Sequence, residues 1–68
     1  MSGEYGKAAL IRLLMERDKL NHAEAKAQYD EHLESFIEIL DNSEDPEEWI
    51  VDEVGVEPDY LEAFWGYV

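Results

Sequence analysis

Apolar residues near the start of the chain recur at steps of three and four, with Tyr5, Ala9 and Leu13 in one row and Leu10 and Leu14 in the next. This is the period of a helix with one buried face, and it predicts a first helix over residues 4–18 with Ser2 as its cap. A break at residues 18–21 precedes a second start signal. Asn21 can cap the next helix while Glu24, three residues on, reaches back to the cap's own N–H, and Leu20 and Ala25 are spaced for a hydrophobic staple. The second helix runs to about residue 40. Along it Ala25, Tyr29, Leu33, Phe36, Ile37 and Leu40 share one face, and Glu31, Glu34, Glu38 and Asp41 share another.

Asp41-Asn42-Ser43-Glu44 is turn chemistry, because short polar side chains there bond to their own backbone. A third helix follows, with Asp45 as cap, Pro46 where its missing N–H is harmless, and Glu48 closing a second capping box. It is expected to bury Trp49, Ile50 and Val54 and to stop at a left-handed Gly55, with Val56 making the apolar contact that often accompanies such an ending. Glu57-Pro58-Asp59 restarts the chain. Tyr60, Leu61, Phe64 and Trp65 then form a short fourth helix before Gly66. No strand pattern competes. The predicted fold is all-α: a helical hairpin of two longer helices with two short C-terminal helices packed across it, in one domain spanning residues 1–68.

A chain of 68 residues holds one core and has little stability to spare, so good helix packing or a second copy of the chain is expected to support it. With 46% hydrophobic residues it folds despite a formal charge of -13. The absence of cysteine excludes disulfides and thiolate chemistry. No basic stretch leads into an apolar run at the N-terminus, and the longest apolar stretch is Ala8 to Ile11, so the expectation is a cytoplasmic protein with no membrane segment.

Charge changes the picture more. All five Lys and Arg lie in the first 26 residues with four of the eighteen acids, and the other fourteen acids lie beyond Lys26 with no Lys or Arg among them. Such a field repels nucleic acid and anionic membranes and attracts basic proteins. Direct nucleic-acid binding is excluded on this ground.

Catalysis needs a nucleophile with a base, matched carboxylates, or a metal with an open position, and the chain offers none clearly. His22 and His32 lie ten residues apart on one helix and point about 80° away from each other, as surface or boundary residues do. Asp41, Ser43, Asp45 and Asp52 match oxygen positions of a calcium-binding loop, but Pro46 stands where that loop needs Gly and Asp52 where it needs Glu. No metal, cofactor or enzymatic activity is expected.

Two features remain. Glu31, Glu34, Glu38 and Asp41 form a row of carboxylates roughly 5 Å apart, which Glu44, Asp45, Glu47, Glu48, Asp52 and Glu53 extend; phosphates of a nucleic-acid strand lie about as far apart. The bland reading of the same acids is a solvating surface. Five aromatic rings, Trp49, Tyr60, Phe64, Trp65 and Tyr67, exceed what so small a core takes in, which leaves Trp65, Tyr67 and Val68 as a partner or dimer contact.

The stretch Asp45-Pro46-Glu47-Glu48 through Gly55-Val56-Glu57-Pro58-Asp59-Tyr60-Leu61, about a quarter of the chain, resembles the C-terminal part of small acidic bacteriophage and prophage proteins. Its motifs are helix starts and stops, not a catalytic signature. The resemblance implies a setting: phages encode many small acidic proteins that inhibit host nucleic-acid enzymes, including restriction and CRISPR nucleases, some by imitating DNA. Together these features point to an acidic protein-binding module, phage-encoded, that occludes the nucleic-acid-binding surface of a basic host protein such as a nuclease. The alternatives are a helical homodimer or adaptor with an assembly role, and an antitoxin for a basic partner.

Overall fold

Local signals set most of the helix boundaries in the structure, a computed structural model that describes residues 5–66. Helix α1 spans Lys7–Asp18 and α2 spans His22–Asp41. Helix α3 covers residues 46–54 as an α-helical turn, Pro46–Trp49, continued by a π turn, Ile50–Val54. Helix α4 covers residues 58–65 as a 3-10 turn, Pro58–Leu61, followed by an α-helical turn, Glu62–Trp65. The fold is the expected all-α hairpin: α1 packs on α2, α3 lies against α2, and α4 closes on α1. No strand occurs among the described residues.

The Asn21 capping box forms in full, with the Asn21 side chain accepting from the Glu24 N–H at 2.8 Å and the Glu24 carboxylate accepting from the Asn21 N–H at 3.1 Å. Ala25 is buried and Leu20 packs against the same core, as a staple requires. Asp45 caps α3 by accepting from the Glu47 N–H at 3.0 Å. The second capping box does not form, because Glu48 stays exposed and makes no reciprocal bond. Gly55 ends α3 at φ 78, donating its N–H to the Ile50 carbonyl at 2.9 Å across the widened π turn. Helix α1 starts later than predicted, at Lys7 with Gly6 as its cap and no side-chain cap bond. Ser2 lies outside the described residues.

Two helices end on left-handed residues other than glycine. Lys19 has φ 55, and both its N–H and that of Leu20 point to the Met15 carbonyl. Ser43 has φ 59, with its N–H on the Leu40 carbonyl at 3.1 Å and the Glu44 N–H on the Ile39 carbonyl at 2.9 Å. The second pair is a Schellman ending. Backbone bonds, rather than the polar side chains of residues 41–44, close that turn.

The core gathers Leu10, Ile11 and Leu14 from α1, Ala25, Tyr29, Phe36 and Ile39 from α2, Ile50 and Val54 from α3, and Leu61, Ala63 and Phe64 from α4. Two inward assignments change. Ile11 is buried while Ala9 and Leu13 lie at its edge, and Ile39 is buried while Ile37 is 44% exposed. Phe36 explains the second change: Ile39 lies three residues on, within about 60° of Phe36 around the helix, whereas Ile37 is turned about 100° away. Phe64 lies between Tyr29, at 5.2 Å between centroids, and Phe36, at 5.4 Å, while Trp49 meets Phe64 edge-on at 5.5 Å. The Tyr29 hydroxyl donates to the Ala63 carbonyl, fixing α4 to α2.

One long side chain joins the two ends of the fold. The Arg17 guanidinium, from the last turn of α1, donates to the Val54 carbonyl at 2.8 Å and the Gly55 carbonyl at 3.3 Å. A cation and two donors thus meet the end of α3, where carbonyls lack partners and the helix dipole is negative.

Candidate functional site

Three surfaces emerge from this arrangement. The first is the outer face of α2. Glu31, Glu34, Glu38 and Asp41 are all exposed and line one shallow depression together with Ser35 and Ile37. At 100° per residue this row sits about 180° from the buried face of Tyr29 and Phe36, and it extends about 15 Å along the helix. Ion pairs among the described residues join Arg17 to Asp18 and Lys26 to Asp30, and they include no member of the row. Glu38 and Asp41 occupy the last turn of α2, which holds no basic residue. Carboxylates there face the negative end of the helix dipole, and Glu34 and Glu38 repel at a four-residue spacing, so the row strains the helix that carries it.

The second surface surrounds the start of α3. Glu44, Asp45, Glu48, Asp52 and Glu53 line a depression whose wall includes the half-buried Trp49. These acids divide by task. Asp45 caps α3, and Glu47 and Glu48 fall in its first turn, where the dipole favours them. Glu47 is exposed but outside this depression. Among the described residues Glu44, Asp52 and Glu53 make no cap or ion-pair contact.

The third surface escaped the sequence reading. Leu13 from α1, Val51 from α3, and Val56 and Tyr60 beyond it floor a groove of about 750 Å³, with Glu16, Arg17 and Glu57 at its edges. Val51 is 50% exposed there. Nothing local announced it: Ile50 and Val51 are adjacent and equally apolar, and only the packing of α3 buries the first and leaves the second exposed.

Trp65, expected as a partner contact, is 51% exposed, with its ring edge-on to Phe36 at 5.1 Å. Tyr67 and Val68 lie outside the described residues. His22 is exposed. His32 is partly buried where α1, α2 and α3 meet; burial lowers its pKa, opposed by Glu31, Glu53 and Asp18 and reinforced by Arg17. Among the described residues no three His, Asp or Glu side chains converge as metal ligands, and no helix is long and apolar enough to cross a membrane. Compared with known protein families, with curated proteins and with solved structures, the chain has no match.

Proposed function

We propose that this protein is a binding module, not an enzyme, that captures a basic partner through the α2 carboxylate row and occludes the surface on which that partner holds nucleic acid. The carrying observation is the row itself: four exposed carboxylates at regular helical spacing, none ion-paired among the described residues, opposite the core on a 20-residue helix. Carboxylates fixed on a helix need little ordering when they meet a groove lined with Lys and Arg, and they attract such a groove before contact. Glu44, Asp52 and Glu53, with Glu47 and Glu48, enlarge the acidic field beyond the row. The phage setting implied by the resemblance of residues 45–61 makes a host nuclease or other nucleic-acid-binding protein the natural target.

The test is competition. Proteins captured from a bacterial lysate at low salt are released by short duplex DNA if the row occupies their nucleic-acid site. The variant with Glu31, Glu34, Glu38 and Asp41 all changed to Lys captures none of them. Captured proteins that keep binding DNA while held would sink the proposal.

A second reading rests on Trp65, whose 51% exposure at the end of α4 suits a homodimer or adaptor contact. Light scattering decides it: a dimer that survives molar salt and is lost on Trp65→Ala supports an assembly role, since apolar contacts resist screening.

A further inference from the structure

We infer that the groove between α1 and the α3–α4 junction is a docking site for an amphipathic, basic segment of a partner protein. An aliphatic side chain of that segment seats on Leu13, Val51, Val56 and Tyr60, and a neighbouring Lys or Arg meets Glu16 and Glu57. The inference goes beyond the carboxylate row, because α2 contributes no residue to this groove.

The groove's charge selects the occupant. Arg17 is at its edge, but its guanidinium is already held by the carbonyls of Val54 and Gly55 and by the Asp18 carboxylate. Glu16 and Glu57 are exposed and without an ion pair among the described residues, so the charge open to a ligand is negative. The formal charge of -13 adds a field that draws cations to an otherwise apolar floor. A second copy of this chain carries the same negative charge and is repelled by it.

The groove is also preformed. Gly55 holds its left-handed turn with Arg17 packed against it, so closely that a Cβ on Gly55 would lie 3.3 Å from the Arg17 Nη1. Tyr60 is braced edge-on by Tyr5 at 5.0 Å between centroids. A volume of about 750 Å³ falls within the range of sites that take ligands, and an apolar floor with charged edges is the form that receives the apolar face of a short helix. Val51, half-exposed in the groove, loses that exposure against an apolar side chain of the docked segment.

The experiment titrates the isotopically labelled protein with a synthetic amphipathic Leu/Lys helical peptide, at about 0.3 M salt to screen the long-range field. Amide shifts are expected at Leu13, Val51, Val56 and Tyr60. A Ser/Lys peptide of equal charge binds about tenfold more weakly or worse, because its apolar anchor is gone. Val51→Lys weakens the Leu/Lys peptide by at least about tenfold with unchanged helicity, since residue 51 is solvent-facing. The double variant Glu16→Gln with Glu57→Gln loses the preference for Leu/Lys over an uncharged Leu/Gln peptide. Changing Glu31, Glu34, Glu38 and Asp41 to Lys leaves the groove shifts in place, so a failure of the carboxylate row and a failure of the groove are separable. Shifts confined to α2, equal binding of the Leu/Lys and Ser/Lys peptides, or groove shifts that follow protein concentration without peptide would each overturn the inference.

Discussion

The first 26 residues and the stretch from α2 into α3 use charge in opposite ways. In the first region bases hold structure: Arg17 closes the end of α3, Lys7 lies over the Tyr29 ring at 5.3 Å, and Lys26 pairs with Asp30 four residues on. In the second, Glu31, Glu34, Glu38 and Asp41 form no ion pair among the described residues and crowd one another on a single helix face. A charge that closes a helix end is explained by stability. A charge that opposes the dipole of its own helix is not.

This contrast has measurable edges. The largest effect is expected at Arg17. Arg17→Ala leaves the α3 carbonyls without their donors and lowers the unfolding free energy by about 2 kcal/mol in urea titrations. A loss under a few tenths would make the Arg17 contact ornamental and dissolve the contrast.

Next come paired reversals with equal change in net charge. Glu38→Lys with Asp41→Lys replaces acids by bases in the last turn of α2 and raises stability by about 1 kcal/mol. Asp59→Lys with Glu62→Lys removes acids from the first turns of α4 and lowers stability by a similar amount, about 1 kcal/mol. Thermal unfolding at low salt measures both, and the two signs should converge as salt rises. The same sign in both variants would mean that net charge, not position, governs stability.

Ser43→Gly, at φ 59, relieves a left-handed serine and stabilises by about 0.5–1 kcal/mol, seen as a raised urea midpoint with an unchanged slope. The smallest effect is His32. Its pKa is lowered in the fold, chiefly by burial, so the unfolded chain binds the extra proton more readily. The stability that His32 contributes is present above the ordinary histidine value, about 6.5, and is lost as pH falls through the lower folded value. His32→Gln therefore flattens the stability profile as pH falls below the ordinary histidine value, about 6.5, relative to the unaltered protein. An identical profile in the variant would assign that slope to the carboxylates.

What was legible beforehand was what is decided locally. Asn21 with Glu24, Asp45 with Pro46, and Gly55 act within a few residues of themselves, so their types announced the helix ends correctly. The spacing of Glu31, Glu34, Glu38 and Asp41 placed them together on an exposed face for the same reason. Phase was harder. Ile37 and Ile39 are equally apolar, and only the partners of Phe36 across the core decide which of them turns inward. The Arg17 contact crosses 37 residues, and the groove of Leu13, Val51, Val56 and Tyr60 is assembled from three separate segments. Neither has a local signature. The left-handed Lys19 and Ser43 went unseen because a turn that usually takes glycine was closed by backbone bonds strong enough to hold another residue there.

The most direct test of the central claim measures stability and capture on one variant, with Glu31, Glu34, Glu38 and Asp41 all changed to Lys. If the row is held against the interest of the fold for the sake of a basic partner, this variant unfolds at higher urea than the unaltered protein and captures no partner. A variant that is less stable, or that captures the same proteins as before, would contradict the account.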